Sequence, residues 1–407
     1  MKNHFKLITA LALMGVVLIT VFIVCRYYAI PVQPIKIGVV HSLTGTMAVS
    51  EKPLVDAIHL AVEEINNQGG LLGQPVEIVV VDGQSNSAVF AREAERLIEQ
   101  ERVSVLFGCW TSDCRKKVKP VVEKHRHLLF YPVQYEGMEQ SPHILYTGSA
   151  PNQQVVPGVR WAMQTFGRRV YLLGSDYVFP RTANLIIADF LYAAGGEIVG
   201  EHYLPLGSND VQAIIEDIAQ KKPDVVLNTL NGDSNAAFFS ALIKAGLNNQ
   251  PLVSFSVEES GMLAWQGGQL TRHYGVWSYF QSLPGEENQR FVAAYKARFG
   301  ADRVVSDPVE AAYVGVKLWA QAVQDANSIE PGPVNSTLLR QSIKSPSGIA
   351  SVDADTRHLW KMMRVGKVRP DGQFKQVFAS SAALRPQPWP TYRNRGAWQT
   401  LLERGRP

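Results

Sequence analysis

Short β-branched apolar runs alternate along this chain with segments whose apolar residues recur at helical spacing, and that alternation leaves few folds open. The clearest unit lies within LFGCWTSDCRKKVKPVVEKHRHLLFYPVQYEGMEQSPHILYTGSAPNQQ, residues 106–154. An apolar strand at 103–107 ends in Gly–Cys–Trp–Thr–Ser, a helix-like run follows at 114–124, and a second apolar strand comes at 128–131. This is a βαβ unit. In an open parallel sheet, ligands sit in the crevice outside the carboxyl ends of the strands. Trp110, Thr111 and Ser112 stand at one such end, and Tyr131, Gln134, Tyr135 and Glu136 at the next. A small polar molecule is expected there.

The same rhythm runs to either side. PIKIGVV at 34–40 reads as a buried strand, 53–66 as a helix stopped by NNQGGLLGQP, 76–81 as a strand and 88–101 as an amphipathic helix. After Pro151 it starts afresh, with strands at 169–173, 197–203 and 252–256 and helices between them. Two α/β lobes of similar design are predicted, each a doubly wound parallel sheet with right-handed crossovers. The remainder reads as helices at 289–299, 308–327 and 334–343, tail strands at 348–378 and a Pro- and Arg-rich end.

The N-terminus points to export. Lys2 and Lys6 precede an uncharged, mostly apolar run at 7–24, closed by Cys25 and Arg26. That run approaches the ~20 residues of a membrane span and exceeds the ~7–15-residue core of a cleaved signal. No A-x-A site follows it. An uncleaved hydrophobic anchor is expected, with lipidation at Cys25 as the alternative, and the body then faces away from the cytoplasm. Cys109 and Cys114 are five apart. A helical Cys114 points its side chain away from a strand-end Cys109, so two free thiols are expected.

Several functions are excluded. The net charge is only +4, with no basic stripe for nucleic acid. The nine histidines show no HExxH spacing and there is no second cysteine pair, so no metal site is expected. HSLTGT after the first strand lacks G-x-G-x-x-G, which removes a dinucleotide cofactor. GSDYVFP contains no nucleophile elbow, and Cys109 with His125 or His127 makes only a weak nucleophile–base pair, so an enzyme is not expected. Binding needs less. A neutral amide must be met by carboxylates, carbonyls, hydroxyls or N–H groups, each unmatched group costing ~1–3 kcal/mol. The strand-end loops hold that inventory: Thr111 and Ser112, Tyr131 and Gln134, Asp176 and Tyr177, Asn231 and Asp233, Glu258 and Glu259. Arg115 and Arg181 flank two of these loops and no Lys or Arg stands inside them, which favours a neutral ligand over an anion.

GCWTSxxRKxV, LLFYPVQYEG and YTGxAPNQQ, followed in order by SDYVFPRT, TLNGDSN, SFSVEE, WSYFQS and SDPVEAA, resemble the signature of urea- and short-chain-amide-binding proteins. These are type I periplasmic solute-binding proteins of ABC importers, in the branched-chain amino acid/amide group. The resemblance covers 35–383 and implies two lobes joined by a hinge that the chain crosses three times. It assigns 34–148 and 283–342 to lobe 1, 149–282 and 343–383 to lobe 2, 384–407 to a C-terminal tail and 1–33 to a signal or anchor. Ligand contacts carry over to Trp110, Ser112, Tyr131 and Gln134 in lobe 1, and to Tyr177, Asn231, Asp233 and Glu259 in lobe 2. The implied partners are urea or a similar neutral amide and the importer's membrane permease. A tethered amide sensor, a branched-chain amino acid binder and an amide hydrolase are the alternatives.

Overall fold

The computed structural model describes residues 11, 13–17, 19–20, 33–265 and 267–404. Most of the expected anchor, and Cys25, lie outside the described residues. No helix among those described is long and apolar enough to cross a membrane. The body, Ile35–Pro407, forms a compact unit of its own.

Two sheets organise that body. In the first, β1 (Ile35–His41), β2 (Val76–Asp82), β3 (Leu106–Gly108), β4 (Leu129–Tyr131) and β5 (Ile144–Tyr146) run parallel in the order β5-β4-β3-β1-β2. Helices Ala48–Asn67, Ser87–Glu99 and Ser112–Lys124 connect them. β3, β4 and β5 are buried throughout, which is why they read as unbroken apolar runs rather than alternating ones. The second sheet holds β6 (Arg169–Ser175), β7 (Glu197–Leu204), β8 (Val225–Thr229), β9 (Leu252–Ser254) and β10 (His273–Trp277), parallel in the order β10-β9-β8-β6-β7.

Neither sheet is wholly parallel, which corrects the sequence reading. β11 (Ser342–Ser345), β12 (Gly348–Asp353) and β13 (His358–Leu359) form antiparallel hairpins at the edge of the first sheet. β14 (Arg364–Val368) and β15 (Phe374–Ala379) do the same on the second, beside β10. The connections inside these edges are too short for the dozen or more residues a parallel crossover needs. The tail therefore divides between the sheets instead of joining the second lobe as a whole. His358 anchors its first part, stacking on Tyr146 at 4.3 Å and sharing a 2.7 Å hydrogen bond with Tyr135 Oη. Helices Glu286–Phe299 and Asp307–Ala326 pack on the first lobe, where Tyr295 donates to Pro53 O (3.2 Å) and Tyr313 to Glu64 (2.6 Å). The last segment docks on the second lobe: Arg393 holds Asp189 with two bonds of 2.6 Å, and Trp398 is fully buried.

Candidate functional site

The carboxyl ends of β1, β3 and β4 in one lobe face those of β6, β8 and β9 in the other. β3 is stopped by its own glycine: a side chain at Gly108 would stand 2.2 Å from Val40 O. Cys109 follows in the left-handed region (φ +67°), turning the chain out of the sheet, and Thr111 caps the next helix by accepting from Cys114 N (3.1 Å). The left-handed turn overturns the expectation of two free thiols. It brings the Cα atoms of Cys109 and Cys114 to 5.7 Å, within disulfide reach, and the two are bonded. Cys109 is thus no nucleophile. His127 is engaged with Val103 O (2.8 Å), and His125 sits near Glu95 and Glu99 on the far end of the helix.

Three of the eight expected residues, Trp110, Asn231 and Gln134, bond across the cleft through their side chains, and Tyr131 supports one of them. Trp110 Nε1 donates to Asn231 Oδ1 of the other lobe at 3.2 Å. Asn231 is held for this by its own amide, which donates to Thr229 O (3.1 Å), and by its backbone N–H on Ser175 Oγ (3.0 Å). Tyr131 donates to Trp110 O (2.6 Å), fixing the loop from below. Gln134 Nε2 crosses to Phe255 O (2.9 Å) and Ser256 Oγ (3.1 Å), while its Oε1 is buried without a partner. Gln154, which sequence reasoning missed, repeats the arrangement: Nε2 on Phe255 O (3.1 Å) and Val276 O (2.6 Å), Oε1 buried and unpartnered.

Ser112 faces inward instead. Its hydroxyl donates to Glu136 and accepts from Arg115 Nη1 (2.9 Å). Arg115 is fully buried, bonded to Glu136 (3.0 Å) and Glu139 (2.8 Å), with its guanidinium over the rings of Tyr131 and Tyr135. Burial alone would raise the Glu139 carboxyl, but Arg115 and Lys116 outweigh it and hold the group down at about 2. Arg115 lies one helical turn beyond Ser112, on the same face, yet in the run CRKK it reads as one more solvated cation.

Tyr177 is half-buried at the end of β6 and lines a small cavity of about 70 Å³ with Ser42, Met47, Glu51, Thr111 and Leu206. Asp233 departs from expectation. It occupies the N-cap position of helix Ser234–Lys244 in a helical conformation, makes no side-chain cap and is exposed. What crosses to the other lobe is its backbone N–H, donating to Thr46 Oγ1 (3.1 Å). Glu259 is buried: Oε1 accepts from Gln281 N (2.9 Å) in the crossover after β10, and Oε2 is buried without a partner. Its neighbour Glu258 caps helix Glu259–Ala264 by accepting from Ser260 N (2.6 Å) and Gly261 N (3.2 Å). Burial outweighs those bonds and pushes the Glu258 carboxyl up to about 7.

Two lobes, three crossings and polar strand-end loops that bond across a cleft are the geometry of a binding protein. Residues 35–395 match the family described as Periplasmic binding protein domain. The chain belongs to the periplasmic binding protein family. Membership implies an extracytoplasmic setting, where a disulfide persists. A Leu/Ile/Val-binding protein homolog of Brucella melitensis is 24% identical over 342 residues, covering 80% of this chain and 85% of that one. A Geobacillus stearothermophilus protein named limonene hydroxylase is 33% identical over 116 residues, and the chain spans only 21% of its length. Among solved structures, a solute-binding protein of an ABC transporter from Rhodopseudomonas palustris, in complex with 3,4-dihydroxybenzoic acid, superposes with a TM-score of 0.78. Identity there is 21%, over 87% of this chain and 99% of the other, a likeness of fold.

Proposed function

We propose that this periplasmic binding protein captures urea or a short-chain amide between its lobes and delivers it to the membrane permease of an ABC importer. The observation that carries this reading is the charge state of the cleft. Arg115, the cation nearest the ligand loops, is consumed by Glu136 and Glu139. The groups around Trp110 that reach from lobe to lobe are neutral: the indole of Trp110, the amides of Asn231 and Gln134 and the hydroxyl of Ser256, with the Gln154 amide beside them. The unpartnered Oε1 atoms of Gln134 and Gln154 are acceptors, which suit the N–H groups of urea or an amide.

In this reading Trp110, Gln134, Tyr131, Tyr177 and Asn231 bind or wall the ligand, and Ser112 positions the loop through Arg115. Ligand contacts from both lobes are completed only on closure, so binding shifts the open–closed population. Residues 7–24 hold the body at the membrane. A second reading is favoured by the Brucella relative's name: a branched-chain amino acid. Its carboxylate would have to be met by backbone N–H groups and hydroxyls, since Arg115 is already paired. Calorimetric titration with urea, acetamide and leucine decides between them. Binding of urea or acetamide, lost in Gln134→Ala, is expected; binding of leucine alone refutes the amide reading.

A further inference from the structure

We propose that the Cys109–Cys114 disulfide is a positioning device for the ligand loop, holding Trp110 where its indole reaches the opposite lobe. The inference rests on the solute-binding reading of the cleft. The bridge encloses Trp110, Thr111, Ser112 and Asp113 and no other residue. It joins the end of β3 to the first turn of helix Ser112–Lys124, and both cysteines are buried.

The loop has reason to need a brace of its own. β3 is three residues long, and its last backbone tie to the sheet is Cys109 N on Val40 O (3.1 Å). Beyond that point the chain is left-handed at Cys109 and then turns directly into the helix. The partner of the Trp110 indole, Asn231 Oδ1, belongs to the other lobe, so it is withdrawn when the cleft opens. With the lobes apart, the loop keeps its shape through Tyr131 donating to Trp110 O, Cys114 N donating to Thr111 Oγ1, the bonds of the Ser112 hydroxyl to Glu136 and Arg115, and the disulfide. Of these ties, the disulfide alone is covalent. A loop ordered before the ligand arrives loses no further entropy on closure. A loop that must be ordered at each closure weakens binding about tenfold for a single extra residue fixed.

The test compares the protein with its Cys109→Ser/Cys114→Ser variant, using urea as the probe. Two measurements are made: the calorimetric Kd, and ligand-free hydrogen exchange at the amides of residues 110–116. The proposal expects the Kd to weaken about tenfold or more, and exchange to rise at those amides with the rest of the first lobe unchanged. A bridge that only stabilises the fold leaves the Kd where it was and raises exchange evenly or not at all; that result overturns the proposal. Trp110→Phe, made with and without the bridge, supplies a second check, because without the indole donor removal of the bridge should cost no further affinity. If the serine pair does not fold, Cys109→Ala/Cys114→Ala reads the same quantities. If urea does not bind the unaltered protein, the amide reading fails, and the exchange measurement still decides whether the bridge orders the loop.

Discussion

Gly232 is where closure of the lobes is most sensitive to a single methyl group. It lies after β8 with φ +63°, facing Thr46 and Met47 of the other lobe. A Cβ there would stand 2.7 Å from Thr46 Oγ1, 3.0 Å from Thr46 O and 3.2 Å from Met47 Sδ. Gly232→Ala therefore carries two costs of different kinds. The left-handed backbone disfavours any side chain by about 1–2 kcal/mol in the open and closed forms alike. For a body of this size that lowers Tm by roughly 1–3 °C and leaves affinity untouched. The contact with Thr46 exists only when the lobes meet. The threonine hydroxyl can rotate away, but its backbone oxygen cannot, and overpacking of this kind costs about 1–3 kcal/mol. Ligand affinity should fall roughly 5- to 150-fold, entirely through the closed state. Gly246→Ala is the matched control: φ is +70° and nothing lies within 4 Å of the added methyl. Its Tm should drop by a similar amount while its Kd, measured by calorimetry, stays at the original value. Equal affinities in both variants would falsify the claim that these loops meet on closure.

Other expectations follow from the same contacts. Arg115→Met strands Glu136 and Glu139 as buried carboxylates and should cost about 3–5 kcal/mol in guanidinium unfolding; a loss under 1 kcal/mol contradicts the network. Glu258, raised from 4.5 to about 7, is protonated in the folded protein where the unfolded chain is already ionised. Its contribution is complete below about 4.5 and is lost as pH rises through about 7, on the order of 3 kcal/mol in all. The protein should therefore lose stability relative to Glu258→Gln between pH 5 and 8, and parallel profiles of Tm against pH sink that assignment. Trp398→Ala should cost about 3–5 kcal/mol, because its ring is fully buried against the second lobe; an unchanged unfolding midpoint would mean that the C-terminal segment is a loose tail.

The two-lobed α/β plan is legible in the sequence because parallel strands buried on both faces must be apolar throughout, and the helices between them carry a clear period. The cross-lobe bonds of Trp110, Gln134 and Asn231 are legible for a related reason: the carboxyl ends of such strands open on the cleft, so polar side chains placed there are within reach of the other lobe. What was hidden depends on backbone conformation and on partners far away in sequence. The disulfide turns on a left-handed residue at Cys109, which carries no glycine signal. The settings of Asp233 and Glu259 were not legible, because the direction of a side chain at a helix start depends on its φ and ψ. Asp233 turns outward in a helical conformation, and Glu258, extended, takes the capping role beside Glu259. Arg115 looks like its exposed neighbours Lys116 and Lys117 until Glu136 and Glu139, more than twenty residues on, come to meet it.

The central claim is that a small neutral amide is held between the lobes. A thermal-shift series tests it most directly, with urea, formamide, acetamide, leucine and 3,4-dihydroxybenzoate added separately to the whole protein at low millimolar concentration. A ligand that binds only the folded state adds about 2.7 kcal/mol of stability at one hundred times its Kd. The account predicts a rise in Tm with urea or one of the short amides and none with leucine or the benzoate. A rise with leucine or the benzoate, and none with any amide, contradicts it.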